Sequence, residues 1–314
     1  MSALRFEHAA PTSLPEAIRL LSEAAGEVHV LAGGTDLLLK LRNAAVARAD
    51  RREPLLVGLK RIPELSRLTW DPEIGLTIGA TTRLADVAGH EAVRRHYPAI
   101  AHAASQTGTP QIRNMGTVVG NICNAAPSAD NVPALLVLGA YLLVEGPAGR
   151  RDLPFADFFR GPGQTTLLPG EIVTAVVVPP PPPRSGAAYL ALSARGRVDI
   201  SSVGVAVMVV LDEQGVCGSA RISLGAVAPT PLRVCDAEQA LVGRMIEGPA
   251  VADACSLSSA EACPITDARA SDDYRRKVVR VLVGRALTQA RDRARANALS
   301  DESGETPAGG RKAL

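Results

Sequence analysis

Aromatic residues are scarce: Phe, Tyr and Trp together make up 3% of the 314 residues. Proteins that bind single-stranded nucleic acid stack bases on clustered aromatic rings, and this chain has too few to build such a platform. An excess of charge of one sign is also missing. Lys plus Arg number 34 and Asp plus Glu 32, a formal net charge of +2, which gives no basic field for nucleic acid or an anionic membrane. No run of about 18 apolar residues occurs, so no transmembrane helix is expected. The opening residues Met1 to His8 lack the apolar core of a secretory leader. The five cysteines, Cys123, Cys217, Cys235, Cys255 and Cys263, are odd in number, irregular in spacing and contain no Cys-x-x-Cys. Neither a disulfide framework nor a zinc site is expected, and a reduced cytoplasmic compartment fits. There is no Walker loop and no Gly-x-Gly-x-x-Gly fingerprint. The five histidines (His8, His29, His90, His96, His102) are scattered through the first third without a Ser/His/Asp set or paired carboxylates. His29, inside a strand, reads as a packed core residue.

What is present is an ordinary globular composition, 46% hydrophobic and 21% charged, long enough for two or three units with their own cores. The first stretch reads as α/β. Ser13 caps a helix with Pro15 in its first turn. Val28 to Ala32, Leu55 to Leu59 and Leu76 to Ala80 read as short buried strands; a helix starts near Thr81 and another covers Ala92 to Ser105. After Pro110 the pattern turns irregular, with short strands. Leu135 to Glu145 reads as a helix end running into a strand, and Glu171 to Val178 as a β-branched strand. Pro179 to Pro183 cannot donate to a sheet ladder and reads as a semi-rigid connector. Beyond it, Asp199 to Asp212 alternates (Val203, Val205, Val207, Val209, Leu211), predicting a strand exposed on one face. Gly218 to Ala226 is its partner across the turn at Glu213 to Gly215. Ala237 to Val242 and Tyr274 to Ala296 read as helices, the second capped by Ser271 with Val278, Val281, Leu282 and Leu287 as its apolar stripe. Ser300 to Leu314 has the composition of a disordered tail.

Two segments carry the chemistry. In Leu31-Ala32-Gly33-Gly34-Thr35-Asp36-Leu37 a strand feeds two glycines, which permit positive φ and close approach of backbone N–H groups to an anion such as a pyrophosphate. Read alone, paired glycines after a strand are more often just a tight turn. The second segment runs from Ile112-Arg113-Asn114 through Thr117-Val118-Val119-Gly120-Asn121-Ile122-Cys123 to Ala126, Pro127 and Asp130. Its small and polar residues suit a backbone-lined cleft, or an irregular loop between sheets. Asp130 is placed to accept from ribityl or ribose hydroxyls, and Thr117 and Asn121 to bond a phosphate or ring edge. Arg113 either offsets cofactor charge or pairs with a surface carboxylate.

Together these segments resemble the FAD-binding medium subunit of the molybdenum hydroxylases, the xanthine dehydrogenase and carbon monoxide dehydrogenase family. The resemblance continues through Asp157-Phe158-Phe159-x-Gly161-Pro162-Gly163-x-Thr165, Glu171-Ile172, Leu224-Gly225-Ala226-Val227-Ala228-Pro229-Thr230-Pro231-x-Arg233 and Tyr274-Arg275…Arg285-Ala286-Leu287. It implies an α+β architecture: a two-subdomain FAD-binding fold of the p-cresol methylhydroxylase type, followed by a smaller α+β C-terminal domain. The corresponding boundaries are 1–178 (subdomains about 1–60 and 61–178), a linker at 179–185, the C-terminal domain at 186–298 and a tail at 299–314.

The resemblance also implies FAD as cofactor, its pyrophosphate on the Gly33-Gly34-Thr35 turn and on backbone near Thr117 and Gly120. Leu31, Ala32, Asp36, Leu37, Ile112, Asn114, Asn121, Cys123, Ala126, Asp130, Ile172, Val173 and Tyr189 complete the implied cofactor site. Molybdopterin would sit on a large partner and [2Fe–2S] clusters on a small one, with NAD or another acceptor taking electrons from FAD. A [4Fe–4S] cluster, which one branch of the family holds in this subunit, needs four thiolates, and no cysteine lies between Leu135 and Phe155. Two positions depart from the family pattern. Val119 replaces a glycine, and a β-branched residue disfavours positive φ there. Ala191 stands where a lysine is common. The competing readings are a free-standing flavin oxidase or dehydrogenase and a scaffold module without FAD.

Overall fold

A computed structural model of the chain describes residues 5–46, 53–194, 196 and 199–303. Three sheets organise it. The first is parallel and three-stranded, in the order β1-β3-β2, and is built from β1 (Glu7–Ala9), α1 (Leu14–Glu23), β2 (Val28–Leu31), α2 (Leu37–Val46) and β3 (Leu55–Gly58). Ser13 caps α1, accepting from the Glu16 N–H at 3.4 Å, with Pro15 in the first turn. The strand β2 is half-buried at most, where the sequence predicted a buried one. His29 accordingly lies outside the core and pairs with Glu27 at 3.0 Å.

The second sheet is antiparallel, in the order β4-β5-β10-β6-β7. Its strands are β4 (Leu68–Asp71), β5 (Gly75–Gly79), β6 (Tyr141–Gly146), β7 (Gly149–Pro154) and β10 (Ile172–Val178), with the small pair β8 (Phe159–Gly161) and β9 (Gln164–Thr165) between β7 and β10. Six short helices fill the excursion from β5 to β6: α3 (Leu84–Gly89), α4 (Glu91–His96), α5 (Pro98–Gln106), α6 (Pro110–Arg113), α7 (Val118–Cys123) and α8 (Asn131–Val137). The single helix expected over Ala92 to Ser105 is broken at Tyr97, because Pro98 disfavours helical backbone before it and starts a new helix. The stretch after Pro110, expected to be irregular, holds three helices. Thr109 and Thr117 cap the first two, accepting from the Ile112 and Gly120 N–H groups at 3.2 and 2.9 Å.

The third sheet is antiparallel, β11-β12-β13-β14: β11 (Ser185–Ser193), β12 (Ser201–Leu211), β13 (Cys217–Gly225) and β14 (Leu232–Arg233). It is backed by α9 (Cys235–Gln239), α10 (Gly248–Glu261) and α11 (Asp272–Ser303). The prolines after β10 connect the second sheet to the third, and the Tyr97 hydroxyl pins their start by donating to Pro179 O at 3.1 Å. The strand β12 corrects the expectation of a half-exposed face. Val203, Val205, Val207 and Val209 pack under α11, while Ala206 and Met208, on the other face, join the core of the preceding region. Alternation therefore separated two kinds of buried neighbour, not core from water. Helix α10 was not foreseen; Ala250, Ala254, Cys255 and Ser258, all small, form its buried face. Val281, expected in the α11 stripe, is 49% exposed, and Val279, Val283, Ala286 and Ala290 bury instead. Ser271 does cap α11, accepting from the Tyr274 N–H at 3.2 Å. The helix runs on through Ser303, into the stretch expected to be disordered; residues 304–314 lie outside the described residues. Among the described residues no helix is long and apolar enough to cross a membrane.

Candidate cofactor site

Parallel strands present the N-termini of their following helices at one edge of the sheet, and ligands in such folds lie at those strand ends. The turn from β2 into α2 is of this kind. Gly34 takes φ +77°, in the left-handed region open to glycine, and α2 starts with the Leu38 N–H donating to Gly34 O at 3.1 Å. Facing it is the loop from α6 into α7. The two approach backbone to backbone: a Cβ on Gly33 would stand 2.5 Å from Met115 O and 2.6 Å from the Gly116 Cα. The N–H groups of Gly33, Gly34, Thr35 and Asp36 donate to no protein acceptor among the described residues.

Between these walls lies a cavity of about 280 Å³. Of the residues singled out in the sequence, Ala32, Gly33, Gly34, Thr35, Asp36, Leu37, Ile112, Thr117, Gly120, Asn121, Cys123, Ile172 and Val173 line it. Thr117 uses its oxygen to cap α7, which leaves its O–H to donate. Asn121 Oδ1 accepts from Asn131 Nδ2 at 2.9 Å, so its own amide N–H groups are left for the cavity. Burial pushes the Cys123 thiol up to about 12; it is a neutral, unreactive wall residue at pH 7. Val119 sits in the first turn of α7 and is absent from the residues with positive φ. The backbone conflict expected from a β-branched residue there does not arise, and its buried side chain forms part of the wall.

Five residues are not brought to this cavity. Leu31 ends β2 between Val30 and Ala32, which line the cavity while it does not. Asn114 closes α6, its N–H donating to Pro110 O at 3.0 Å. Ala126 lies in the turn before α8, and its carbonyl accepts from the Ala129 N–H at 3.0 Å. Asp130 and Tyr189 bind each other: the Tyr189 hydroxyl donates to Asp130 Oδ1 at 2.7 Å, and Ser201 Oγ donates to the same oxygen at 2.6 Å. This node ties the start of α8 to β11 and β12. Arg113 does not line the cavity and meets no carboxylate among the described residues; its Nη1 donates to Gly108 O at 2.6 Å. The sequence reading missed Lys40, Thr107 and Asn124, which line the cavity. Lys40 offered no local signal, because its hydrogen-bond partner Asn124 is 84 residues away. At the rim, Arg151 holds Glu171 by two bonds of 2.7 and 2.8 Å and so keeps that carboxylate below its ordinary range.

The Asp130 node has a pH consequence. Burial raises its carboxyl above the ordinary value, against the lowering by the Ser201 and Tyr189 hydroxyls. The unfolded chain then loses this proton at lower pH than the folded one. Stability is lost as pH rises from about the ordinary carboxyl value through the raised one. Asp130→Asn keeps an oxygen for both hydroxyls and removes the charge. Its melting temperature should exceed that of the wild type by on the order of 2–4 °C at pH 7.5, and the difference should shrink toward pH 4.5. A difference in melting temperature that does not change with pH would refute the assignment.

The parallel sheet with its glycine turn, the antiparallel sheet packed beside it, and the groove between them define a dinucleotide-binding flavoprotein module. Residues 4–181 match the FAD binding domain in molybdopterin dehydrogenase, and residues 188–290 match the CO dehydrogenase flavoprotein C-terminal domain. The chain belongs to this family of FAD-binding oxidoreductase subunits. It is 32% identical over 290 residues to the 6-hydroxypseudooxynicotine dehydrogenase complex subunit alpha of Paenarthrobacter nicotinovorans, covering 92% of this chain and 96% of that one. It is 32% identical over 284 residues to the xanthine dehydrogenase FAD-binding subunit of Escherichia coli O157:H7, covering 90% and 94%. In structure it resembles carbon monoxide dehydrogenase from Hydrogenophaga pseudoflava, in a form lacking the Mo-pyranopterin moiety of the molybdenum cofactor. The TM-score is 0.86 at 34% identity, over 93% of this chain and 99% of that one.

Proposed function

We propose that this chain is the electron-transfer subunit of a heterotrimeric molybdenum hydroxylase, with FAD held in the groove between β2–α2 and α7. The observation that carries the reading is the glycine cradle: bare N–H groups at Gly33 to Asp36, facing a second loop so close that Gly33 admits no side chain. Such a cradle fits a pyrophosphate or a similar anion. Thr117 and Asn121 add donors from the opposite wall, while Ile172 and Val173 supply apolar contact. Asp130 and Tyr189, already bonded to each other, set the junction behind the cofactor, which shifts Tyr189 from ligand to support. FAD, when bound, supplies a two-electron store between [2Fe–2S] clusters on a small partner and NAD or another acceptor. Substrate oxidation belongs to a large molybdopterin-binding partner. On this reading the flavin-binding unit spans 1–178, the C-terminal unit 186–298, and the complex is cytoplasmic.

The test is isolation of the complex from its native host through an affinity tag on this chain. Two further polypeptides, flavin and iron–sulfur absorption bands, and release of FAD on acid precipitation are expected. A lone, colourless chain that takes up no FAD would overturn the reading. Anaerobic bleaching of the flavin band by NADH would identify NAD as the acceptor; an unbleached band would exclude it.

A further inference from the structure

The groove contains one cationic side chain among its described lining residues, Lys40. It stands in the first turn of α2, on the same wall as the bare N–H groups of Gly33 to Asp36. Asp36 precedes it by four residues, the spacing at which a helical acid–base pair normally forms. Lys40 makes no ion pair with Asp36. Its ammonium reaches across to Asn124 Oδ1 at the end of α7, a neutral acceptor, and it has no ion-pair partner among the described residues. The other charged lining residues are Asp36 and Glu171, and Glu171 is fully engaged by Arg151.

An ammonium without an ion-pair partner, oriented by an amide from the opposite wall and on the same wall as a row of unbonded N–H groups, is an arrangement that can receive a multiply charged anion. We infer that Lys40 is the counter-charge for the cofactor's pyrophosphate, and that Asn124 is the residue that positions it, strapping α2 to α7 over the bound dinucleotide. The inference rests on FAD occupying this groove. It assigns the positive charge to the phosphate end of the site. At the flavin end, the family's common lysine is replaced by Ala191.

The experiment uses the intact complex, stripped of FAD by chaotropic salt and titrated with FAD and, separately, with ADP, which carries the pyrophosphate without the flavin. Lys40→Met should weaken both FAD and ADP binding by about 10- to 100-fold and flatten their dependence on ionic strength. The absorption spectrum and midpoint potential of bound flavin should stay those of the wild type. Lys40→Arg should restore most of the affinity, and Asn124→Ala should lose part of it. Unchanged FAD and ADP affinity in Lys40→Met would overturn the assignment. So would an altered flavin spectrum with unchanged ADP affinity, which would place Lys40 at the ring. If the wild-type complex takes up neither ligand, the flavin reading itself falls, and this inference with it.

Discussion

Gly33→Asp should leave the protein without FAD. The new Cβ would lie 2.5 Å from Met115 O and 2.6 Å from the Gly116 Cα, both backbone atoms that no rotamer change can move. The two loops must separate, and the carboxylate adds negative charge where a phosphate is to sit. FAD affinity should fall by at least about 100-fold. Gly33→Ala isolates the steric part, an overpacking cost of about 1–3 kcal/mol. It should already lower the flavin-to-protein absorbance ratio of the purified complex. Gly34→Ala meets a different obstacle. Its nearest neighbour is the movable Leu31 side chain, and the strain comes from φ +77°, costing about 1–2 kcal/mol. Gly26→Ala, which meets nothing within 4 Å, should retain FAD and serves as the control. Normal FAD content in Gly33→Asp would show that the cofactor lies elsewhere.

The glycine turn was legible in the sequence because backbone geometry dictates it: two glycines after an apolar strand have few conformational uses. The cap at Thr117 was not read, because the residue three positions on is Gly120 and not the Glu or Gln of a capping box. A six-residue helix rich in glycine and β-branched residues also has almost no periodicity to read. The faces of β12 were misassigned because hydrophobic alternation reports burial without naming the neighbour, and here both faces meet protein. Helix α10 escaped because its buried side is alanine, serine and cysteine, so close helix packing replaces the large apolar residues that mark amphipathic patterns. Lys40 and the Asp130 node depend on contacts across 84 and on 59 and 71 residues of chain. Spacing rules within one element say nothing about such contacts.

Arg275 marks the same divide, since its neighbour Tyr274 and the motif around them were recognisable while its task was not. Its guanidinium is 4% exposed and joins three segments. Nη1 donates to Ser202 O on β12 at 2.8 Å and to Ala226 O at 3.0 Å, and Nη2 to Asp267 Oδ1 at 2.7 Å. Ala226 adopts φ +63°, a costly state for an alanine. Its N–H donates to Pro127 O at 2.7 Å, in the turn that leads to Asp130. The arginine on α11 thus holds the strained residue through which the C-terminal sheet grips the cofactor-binding region. Arg275→Met removes the donor from the buried Ser202 carbonyl and the part-buried Ala226 carbonyl and should destabilise the chain by about 3–5 kcal/mol, lowering the melting temperature by about 6–20 °C. Arg275→Lys should recover only part, because one ammonium does not span three acceptors in a fixed fork. Asp267→Asn should cost far less, since Asp267 is partly exposed and the Arg269 N–H and side chain also bind it. If Arg275→Met melted with the wild type, the interdomain grip would have to come from the Asp130–Tyr189–Ser201 node and the apolar packing of Ala206 and Met208. Weakened FAD retention in Arg275→Met, at temperatures where it remains folded, would show that this grip is transmitted through Ala226 and Pro127 to the groove.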